Sequence, residues 1–261
     1  MSQHRPRKRF GQHFLTDPTA IDEIMQLVDT QADATVIEIG PGFGILTDPL
    51  LERCKTLIAV EIDRDLATHL RRRFAEQPKF SLIEADALKL QLNEITADRV
   101  TIIGNLPYNI STPLLFHLFE QRQQIDSMLF MLQKEVVERM AAHPGSKRYG
   151  RLSVMTQYYC EVEPLIEIPP TAFEPPPKVD SQMVRLYPKP FDKSDHRLQQ
   201  QLSTLVTAAF AHRRKTLRNT LSGLCTADTI IAAGCDPAAR AETLSLNEFI
   251  TLAGEIETHR D

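Results

Sequence analysis

Short apolar segments alternate with helical patterns along the first half of the chain. Five of these segments are predicted to be strands, at residues 35–39, 56–61, 80–84, 100–103 and 128–132. Residues 19–28 place their apolar side chains at helical spacing, which predicts an amphipathic helix ahead of the first strand. Strands that alternate with helices in this way predict a parallel sheet with right-handed connections.

The pattern changes after residue 160. Residues 162–168 and 179–186 both have the pattern of strands, and the proline-rich stretch between them leaves no room for a helix. Two strands joined in this way are expected to form an antiparallel pair that completes the sheet. The predicted fold class is therefore α/β, with a mostly parallel sheet and an antiparallel last strand.

The last part of the chain is predicted to be helical. Residues 188–195 (PKPFDKSD) are typical of a linker, and apolar residues recur at helical spacing beyond them. Arg213 falls on the same apolar stripe, so either the helix breaks near His212 or the Arg213 side chain has to extend its charged end to solvent. The chain is thus divided into residues 1–187, an α/β domain with a basic N-terminal arm, and residues 192–261, a small all-α domain.

Composition limits the class of protein. No apolar run is long enough to cross a bilayer, and the basic N-terminus lacks the apolar segment of a secretory signal. The four cysteines and eight histidines show no ligand spacing, which argues against a disulfide framework and against zinc or another metal. We therefore expect a cytoplasmic protein with reduced thiols and no metal.

Charged residues are unevenly distributed along the chain. The net charge of −4 argues against a nucleic-acid partner, but three clusters of basic residues argue for one. Each cluster alone is typical of a solvated surface. Together they predict a face that binds phosphates, formed by Arg5, Arg7, Lys8, Arg9, Lys147, Arg148, Arg151, Arg213, Arg214, Lys215 and Arg218.

The most informative motif is Asn105-Leu106-Pro107-Tyr108, which follows the strand predicted at residues 100–103. Pro107 has no N–H and restricts the backbone, which helps to direct the Leu106 carbonyl outward. Asn105 and this carbonyl would be two acceptors for one exocyclic amine, and Tyr108 would stack on the ring that carries it. The motif predicts a socket for the amino edge of adenine. The alternative is a strand-ending turn with a packing tyrosine.

A glycine-rich turn at residues 38–44 (EIGPGFG) follows the first predicted strand and leads into a helical pattern. Glycines at such a turn let the backbone approach a ligand closely. The third glycine comes one residue too early for the dinucleotide-binding pattern, and Pro41 removes an N–H that a pyrophosphate could use. A dinucleotide is therefore disfavoured.

Acidic residues follow the next two strands. Glu61 ends the second strand, where a carboxylate can accept from both hydroxyls of a ribose. Asp86 follows the third, where it can accept from an adenine amine while the Ala87 N–H donates to the ring. The alternatives are a surface carboxylate at Glu61 and a helix N-cap at Asp86. Together with the glycine turn and Asn105, these groups predict an S-adenosylmethionine site.

Several motifs, in order along the chain, resemble those of the rRNA adenine dimethyltransferases. They are FGQHFL at 10–15, EIGPGFG at 38–44, VEID at 60–63, EADA at 84–87, NLPYNIS at 105–111, LQKEV at 132–136, YGRLS at 149–153, FEPPPKVDS at 173–181 and HRRKTLR at 212–218. The resemblance covers nearly the whole chain and is greatest to the enzymes of the bacterial small ribosomal subunit.

This resemblance implies a fold, a cofactor and a substrate. The fold is the Rossmann-like sheet of class I methyltransferases, and the cofactor is S-adenosylmethionine. The substrate is a pair of adjacent adenosines in a loop near the 3′ end of 16S rRNA, within an immature 30S subunit, and each becomes N6,N6-dimethylated. The resemblance also implies that the basic residues of the predicted phosphate-binding face bind RNA. Nothing in the sequence demands more than a monomer.

Roles for individual residues are implied as well. His13, Leu15 and Gly40 are expected at the amino-acid part of the cofactor, and Gly42 and Ile62 belong to the same site. His13 stands where relatives often carry asparagine, and both residues can form hydrogen bonds there. Glu61 would hold the ribose, Asp86 and Ala87 the adenine, and Asn105 would lie between cofactor and target.

The predicted catalytic residues are Asn105, Leu106, Tyr108 and Phe173. The first two accept hydrogen bonds from the target amine and favour its developing positive charge, while the two rings grip the base. The alternative for Phe173 is an aromatic residue that packs in the core beside the prolines.

Three other functions are compatible with the sequence. One is a large-subunit rRNA methylase of the antibiotic-resistance type, which the HRRKTLR segment disfavours. Another is a ribosome-assembly factor whose binding matters more than its catalysis. A DNA adenine methylase usually carries Pro-Pro-Tyr at the end of this motif, whereas Leu106 precedes Pro107 here.

Overall fold

The computed structural model describes residues 13–190 and 196–258, which form two compact units. Unit 1 contains the described residues up to Val137 together with Glu163–Pro188. Unit 2 contains Glu138–Val162 and the described residues from Lys189 onward. The observed boundary after Pro188 lies one residue from the boundary expected after residue 187.

A seven-stranded sheet forms the centre of the α/β architecture. Nine strands are described: β1 (Phe14–Leu15), β2 (Thr35–Ile39), β3 (Thr56–Glu61), β4 (Phe80–Glu84), β5 (Val100–Asn105), β6 (Ile125–Gln133), β7 (Cys160–Ile168), β8 (Phe173–Glu174) and β9 (Ser181–Pro188). The order in the large sheet is β4-β3-β2-β5-β6-β9-β7. The first five of these pair in parallel, and β9 pairs antiparallel with β6.

The predicted fold class is therefore confirmed. All five residues of β2 are buried, as expected of a parallel strand covered on both faces. The sequence pattern did not reveal the two-residue strands β1 and β8, which pair with each other and place Leu15 opposite Phe173.

The first helix and the helices after residue 195 lie where the apolar spacing predicted them. The described helices are α1 (Pro18–Leu27), α2 (Thr47–Leu51), α3 (Arg64–Arg73), α4 (Leu92–Ile95), α5 (Ser111–Glu120), α6 (Lys134–Met140), α7 (Arg151–Tyr159), α8 (His196–Ala209), α9 (Leu217–Thr220), α10 (Ala227–Ala232) and α11 (Leu246–Thr258). Helix α1 begins at Pro18 because the Asp17 side chain accepts from the N–H groups of Thr19 and Ala20.

Unit 2 is helical, and its core follows the predicted stripe. Leu202, Leu205 and Val206 of α8 are buried, and the helix ends at Ala209. The next helix begins at Leu217. Arg213 lies exposed in the turn between them, so the first alternative, a break in the helix, is confirmed.

The structure places residues 138–162 in a different unit from the one expected. The sequence pattern assigns them to the first domain, but in the structure they belong to unit 2. Helix α7 buries Leu152, Val154 and Met155 and contacts α8 and α11. A helical pattern between two strands usually indicates a helix that covers the sheet, and nothing local distinguishes it from one that packs elsewhere. Within the described residues, no helix is both long and apolar enough to span a membrane.

Candidate active site

A cavity of about 820 Å³ opens at the carboxyl ends of β2, β3, β4 and β5. Parallel strands bring the residues that follow them to one edge of the sheet, which is where such folds bind ligands. Every residue assigned to the cofactor from the sequence lines this cavity, namely His13, Leu15, Gly40, Gly42, Glu61, Ile62, Asp86, Ala87 and Asn105. Leu106 and Tyr108 line it as well.

The glycine turn forms one wall of the cavity. Gly40 and Gly42 have φ angles of +68° and +60°, a conformation that side chains rarely adopt. The Gly40 N–H donates to the Val60 carbonyl at 3.0 Å, which ties the turn to β3. A Cβ on Gly42 would lie 3.2 Å from the Phe14 ring. The turn therefore depends on glycine both for its conformation and for the space that Phe14 takes.

Glu61 connects the ends of two strands. Its Oε1 accepts from the Asp63 N–H at 2.8 Å, and further backbone bonds come from Gly42 and Ile62. Burial raises the pKa of this carboxyl, while those backbone donors act in the opposite direction. Glu61 is thus a buried carboxylate that organises the glycine turn and also borders the cavity, and not a surface group.

Asp86 combines the two interpretations that the sequence left open. Its Oδ1 accepts from the Leu88 N–H at 3.0 Å, so it caps the short 3₁₀ turn at Ala87–Lys89. The residue also lines the cavity. The cap uses one carboxylate oxygen and leaves Oδ2 for a ligand.

Asn105 is held in one orientation by the segment before α1. Its Nδ2 donates to the His13 carbonyl at 3.1 Å. Because a carbonyl only accepts, the amide must turn its nitrogen toward His13. The Oδ1 atom is then the part of the amide that can accept from another group. This is the acceptor that the sequence predicted for the target amine.

Tyr108 is anchored at its hydroxyl. The Oη atom lies 2.8 Å from the Oγ of Ser181, a buried residue at the start of β9. The His13 ring stacks on Tyr108 with centroids 5.7 Å apart and planes at 29°. His13 Nδ1 lies 2.7 Å from the Pro175 carbonyl, so it carries the proton in that bond. These contacts hold the Tyr108 ring in one orientation beside the turn that follows β5, where it can act as a stacking plate for a base.

Two further residues at this edge were not identified from the sequence. A Cβ on Gly104 would lie 2.6 Å from the Ile39 carbonyl, so only glycine allows the ends of β2 and β5 to come this close. A glycine inside a strand pattern is the signal for such an approach. The other is Glu38, which lines the cavity although its side chain is 2% exposed. Burial raises the pKa of the Glu38 carboxyl to about 7.

Comparisons with known proteins agree with this geometry. The sequence model of the family described as "Ribosomal RNA adenine dimethylase" matches residues 3–258. The chain belongs to the ribosomal RNA adenine dimethylase family. A relative from Pseudomonas syringae, named ribosomal RNA small subunit methyltransferase A, is 51% identical over 256 residues, which cover 96% of this chain and 94% of that protein. One of the same name from Proteus mirabilis is 48% identical and covers 98% of this chain and 96% of that protein.

Solved structures of similar proteins show the same fold. A dimethyladenosine transferase from Plasmodium falciparum has a TM-score of 0.82 at 28% identity, over 94% of this chain and 98% of that one. The 23S rRNA methyltransferase ErmE has a TM-score of 0.71 at 24% identity, over 94% and 99% of the two chains, and shows the fold alone. The predicted family, the methyltransferase class and S-adenosylmethionine as cofactor are confirmed.

The position of Phe173 in this rRNA dimethylase differs from the predicted position against the target base. Its side chain is 4% exposed and packs in the main hydrophobic cluster of unit 1, and it does not line the cavity. The pairing of β8 with β1 sets Phe173 opposite Leu15, which belongs to the same cluster. Its surroundings correspond to the alternative of a core aromatic residue. The neighbouring Glu174 borders the cavity instead.

Two of the three basic clusters lie on the surface of unit 2. The exposed members are Lys147, Arg148, Arg151, Arg213, Arg214, Lys215 and Arg218. The Arg213 guanidinium donates to the Lys147 carbonyl, so the two clusters form one surface. Arg148 also pairs with Glu138 at 3.0 Å. The third cluster, formed by Arg5, Arg7, Lys8 and Arg9, lies outside the described residues.

Proposed function

We propose that this protein dimethylates N6 of two adjacent adenosines in a loop near the 3′ end of 16S rRNA, with S-adenosylmethionine as methyl donor. The substrate is an immature small ribosomal subunit, and the protein acts as a monomer in the cytoplasm, where such particles assemble. The main support for this proposal is the fixed orientation of the Asn105 amide. This amide lies beside the Tyr108 plate, in the same cavity as the glycine turn.

The cavity suits the proposed cofactor. Glu61 and Asp86 offer carboxylate oxygens at neighbouring strand ends for the ribose and the adenine, and the glycine turn leaves space for the amino-acid part. S-adenosylmethionine supplies, when bound, a methyl group on a sulfonium that is already activated for transfer. The protein therefore has to align the two reactants and stabilise charge.

The turn after β5 acts on the target base. The Asn105 Oδ1 and the Leu106 carbonyl accept the two N–H bonds of the adenine amine. These bonds favour a pyramidal nitrogen, whose lone pair is free to attack, and they stabilise the positive charge that develops on it. Tyr108 stacks on the ring and also suits a cationic intermediate. A strong general base is not required, because the product ammonium loses its proton readily.

The second methylation proceeds with one hydrogen bond fewer. After the first transfer the amine keeps a single N–H, so only one of the two acceptors can bind it. The open side of the cavity must then hold the first methyl group. Dimethylation itself is supported by membership of the family.

The basic surface of unit 2 supports an RNA substrate. Exposed arginines and lysines on one surface bind phosphates without reading the sequence. A target base has to leave its stack to enter the cavity, which favours a loop or a single strand over a duplex.

The test is methyl transfer to small subunits from cells that lack this activity, followed by mass mapping of the modified nucleosides. Two adjacent dimethyladenosines are expected in 16S rRNA. Asn105→Ala should keep most of its affinity for the cofactor and lose most turnover, whereas Asn93→Ala, which replaces an exposed asparagine in α4, should keep both. Methylation of 23S rRNA or duplex DNA in preference to 16S rRNA would refute the proposal.

The basic surface also favours a second role in ribosome assembly. Binding to the particle through this surface does not require methyl transfer. The Asn105→Ala variant separates the two roles, because it leaves the surface of unit 2 unchanged. Full recovery of subunit maturation by this variant would assign the main role to binding.

A further inference from the structure

Glu38 is a buried acidic residue in the wall of the cavity, and it has no role in the reaction described above. It lies in β2, two residues before Gly40, and its side chain is 2% exposed. The hydroxyl of Thr47, a fully buried residue at the start of α2, donates to its Oε2 at 2.6 Å. Because Glu38 lines the cavity, its charge lies in a buried wall where it acts electrostatically on a bound ligand.

The electrostatic surroundings of Glu38 are unfavourable for a negative charge. Among the described residues, the charged groups that act on it are the carboxylates of Glu61 and Asp48, and the Cys54 thiol is also near. Burial has the largest effect and raises the pKa of Glu38 to about 7, against the opposite effect of the Thr47 bond. The group is therefore about half protonated at neutral pH, and a positive charge in the cavity would shift it to the ionised form.

We propose that Glu38 recognises the positive charge of the cofactor: it releases its proton to solvent when the sulfonium cofactor binds, and its carboxylate then balances the net charge in the cavity. The inference rests on the proposed function, since it takes S-adenosylmethionine as the ligand. Glu38 lies close to Gly40, which is assigned to the amino-acid part of that cofactor, next to its sulfonium.

This role makes the site selective between cofactor and product. S-adenosylmethionine carries a net positive charge, and loss of the methyl group leaves a neutral thioether, S-adenosylhomocysteine. An ionised Glu38 strengthens binding of the first and not of the second. The cofactor is therefore preferred over the product, and the preference grows as pH rises through 7.

Calorimetric titration in two buffers of different ionisation enthalpy measures the protons released on binding. For the wild type with S-adenosylmethionine we expect release of about half a proton at pH 7 and an affinity about tenfold higher at pH 8 than at pH 6. With S-adenosylhomocysteine the release should be smaller. Glu38→Gln keeps the shape and the Thr47 contact, and it should remove most of the release and most of the preference for the cofactor.

Glu52→Gln is the matched control, because it removes an exposed carboxylate just after α2 that does not act on Glu38. It should release protons as the wild type does. Thr47→Val is a second test, which remains possible if the Glu38→Gln variant does not fold. Loss of the hydroxyl donor should move the midpoint of the pH dependence of cofactor affinity to higher pH.

The outcomes distinguish the two proposals. Proton release that persists in Glu38→Gln at more than half the wild-type value belongs to another group and overturns this role, as does an unchanged midpoint in Thr47→Val. A wild-type protein that binds neither S-adenosylmethionine nor its product would instead overturn the proposed function.

Discussion

Replacing Glu38 with glutamine is expected to stabilise the ligand-free protein at high pH and to change its stability little at low pH. Burial raises the pKa of this carboxyl from 4.5 to about 7. The folded protein therefore keeps the proton over a pH range in which the unfolded chain has lost it. The contribution of Glu38 to the free energy of unfolding of the wild type is therefore greatest below pH 4.5, falls as the pH rises toward 7, and is constant above pH 7.

The size of the effect follows from the same two pKa values. Each pH unit between them corresponds to about 1.4 kcal/mol, so the full difference is about 3 kcal/mol. Glutamine has no proton to lose and still accepts from Thr47. Its advantage over glutamate should therefore grow from near zero at low pH to about 3 kcal/mol at pH 8, or about 6 to 12 °C in Tm for a domain of this size.

Thermal unfolding followed by circular dichroism at several pH values checks this prediction. The control is Glu52→Gln, whose curve of Tm against pH should run parallel to that of the wild type because this carboxylate is exposed and does not act on Glu38. If the Glu38→Gln and wild-type curves also run parallel, Glu38 is ionised in the folded protein and the reasoning is refuted.

Three further predictions concern Gly104, Tyr108 and Phe173. Gly104→Ala should weaken cofactor binding about 5-fold to 150-fold in calorimetry, because its Cβ would lie 2.6 Å from the Ile39 carbonyl and overpacking costs about 1–3 kcal/mol. Gly254→Ala, where a Cβ meets nothing within 4 Å, is the control and should bind normally. Tyr108→Phe should keep kcat/KM within a few-fold in methyl transfer, while Tyr108→Ala should lose about 10-fold to 100-fold with the stacking plate; equal loss in both would point to the hydroxyl. Phe173→Ala should lower the free energy of unfolding by about 3–5 kcal/mol in denaturant titration, as for a core aromatic residue. If this variant instead keeps its stability and transfers methyl groups slowly, Phe173 stacks on the target base.

The sheet and the grouping of the proposed cofactor residues around one cavity could be predicted because both depend on local signals. Apolar runs bounded by turn residues give the strands, and parallel strands bring their carboxyl ends to one edge whatever the loops do. Glu61, Asp86 and Asn105 therefore had to lie close together once the strands were recognised. The positive φ angles of Gly40 and Gly42 agree with the glycine pattern that marked the turn.

The remaining features depend on contacts between distant parts of the chain. Phe173 and Leu15 are paired by two strands of two residues each, which are too short to leave a pattern. Helix α7 has buried residues around much of its surface, so its sequence does not identify the helices that cover it. Glu38 looks like any residue of a strand motif, and only the fold shows a buried carboxylate at the wall of the cavity.

A crystal structure with S-adenosylhomocysteine and adenosine tests the central claim most directly. We predict that the exocyclic nitrogen of the adenosine lies about 2.7–3.2 Å from both Asn105 Oδ1 and the Leu106 carbonyl, with the ring stacked on Tyr108 and the nitrogen directed at the cofactor sulfur. An adenosine whose amine contacts other groups, or which binds outside the cavity at the ends of β2 to β5, would contradict it.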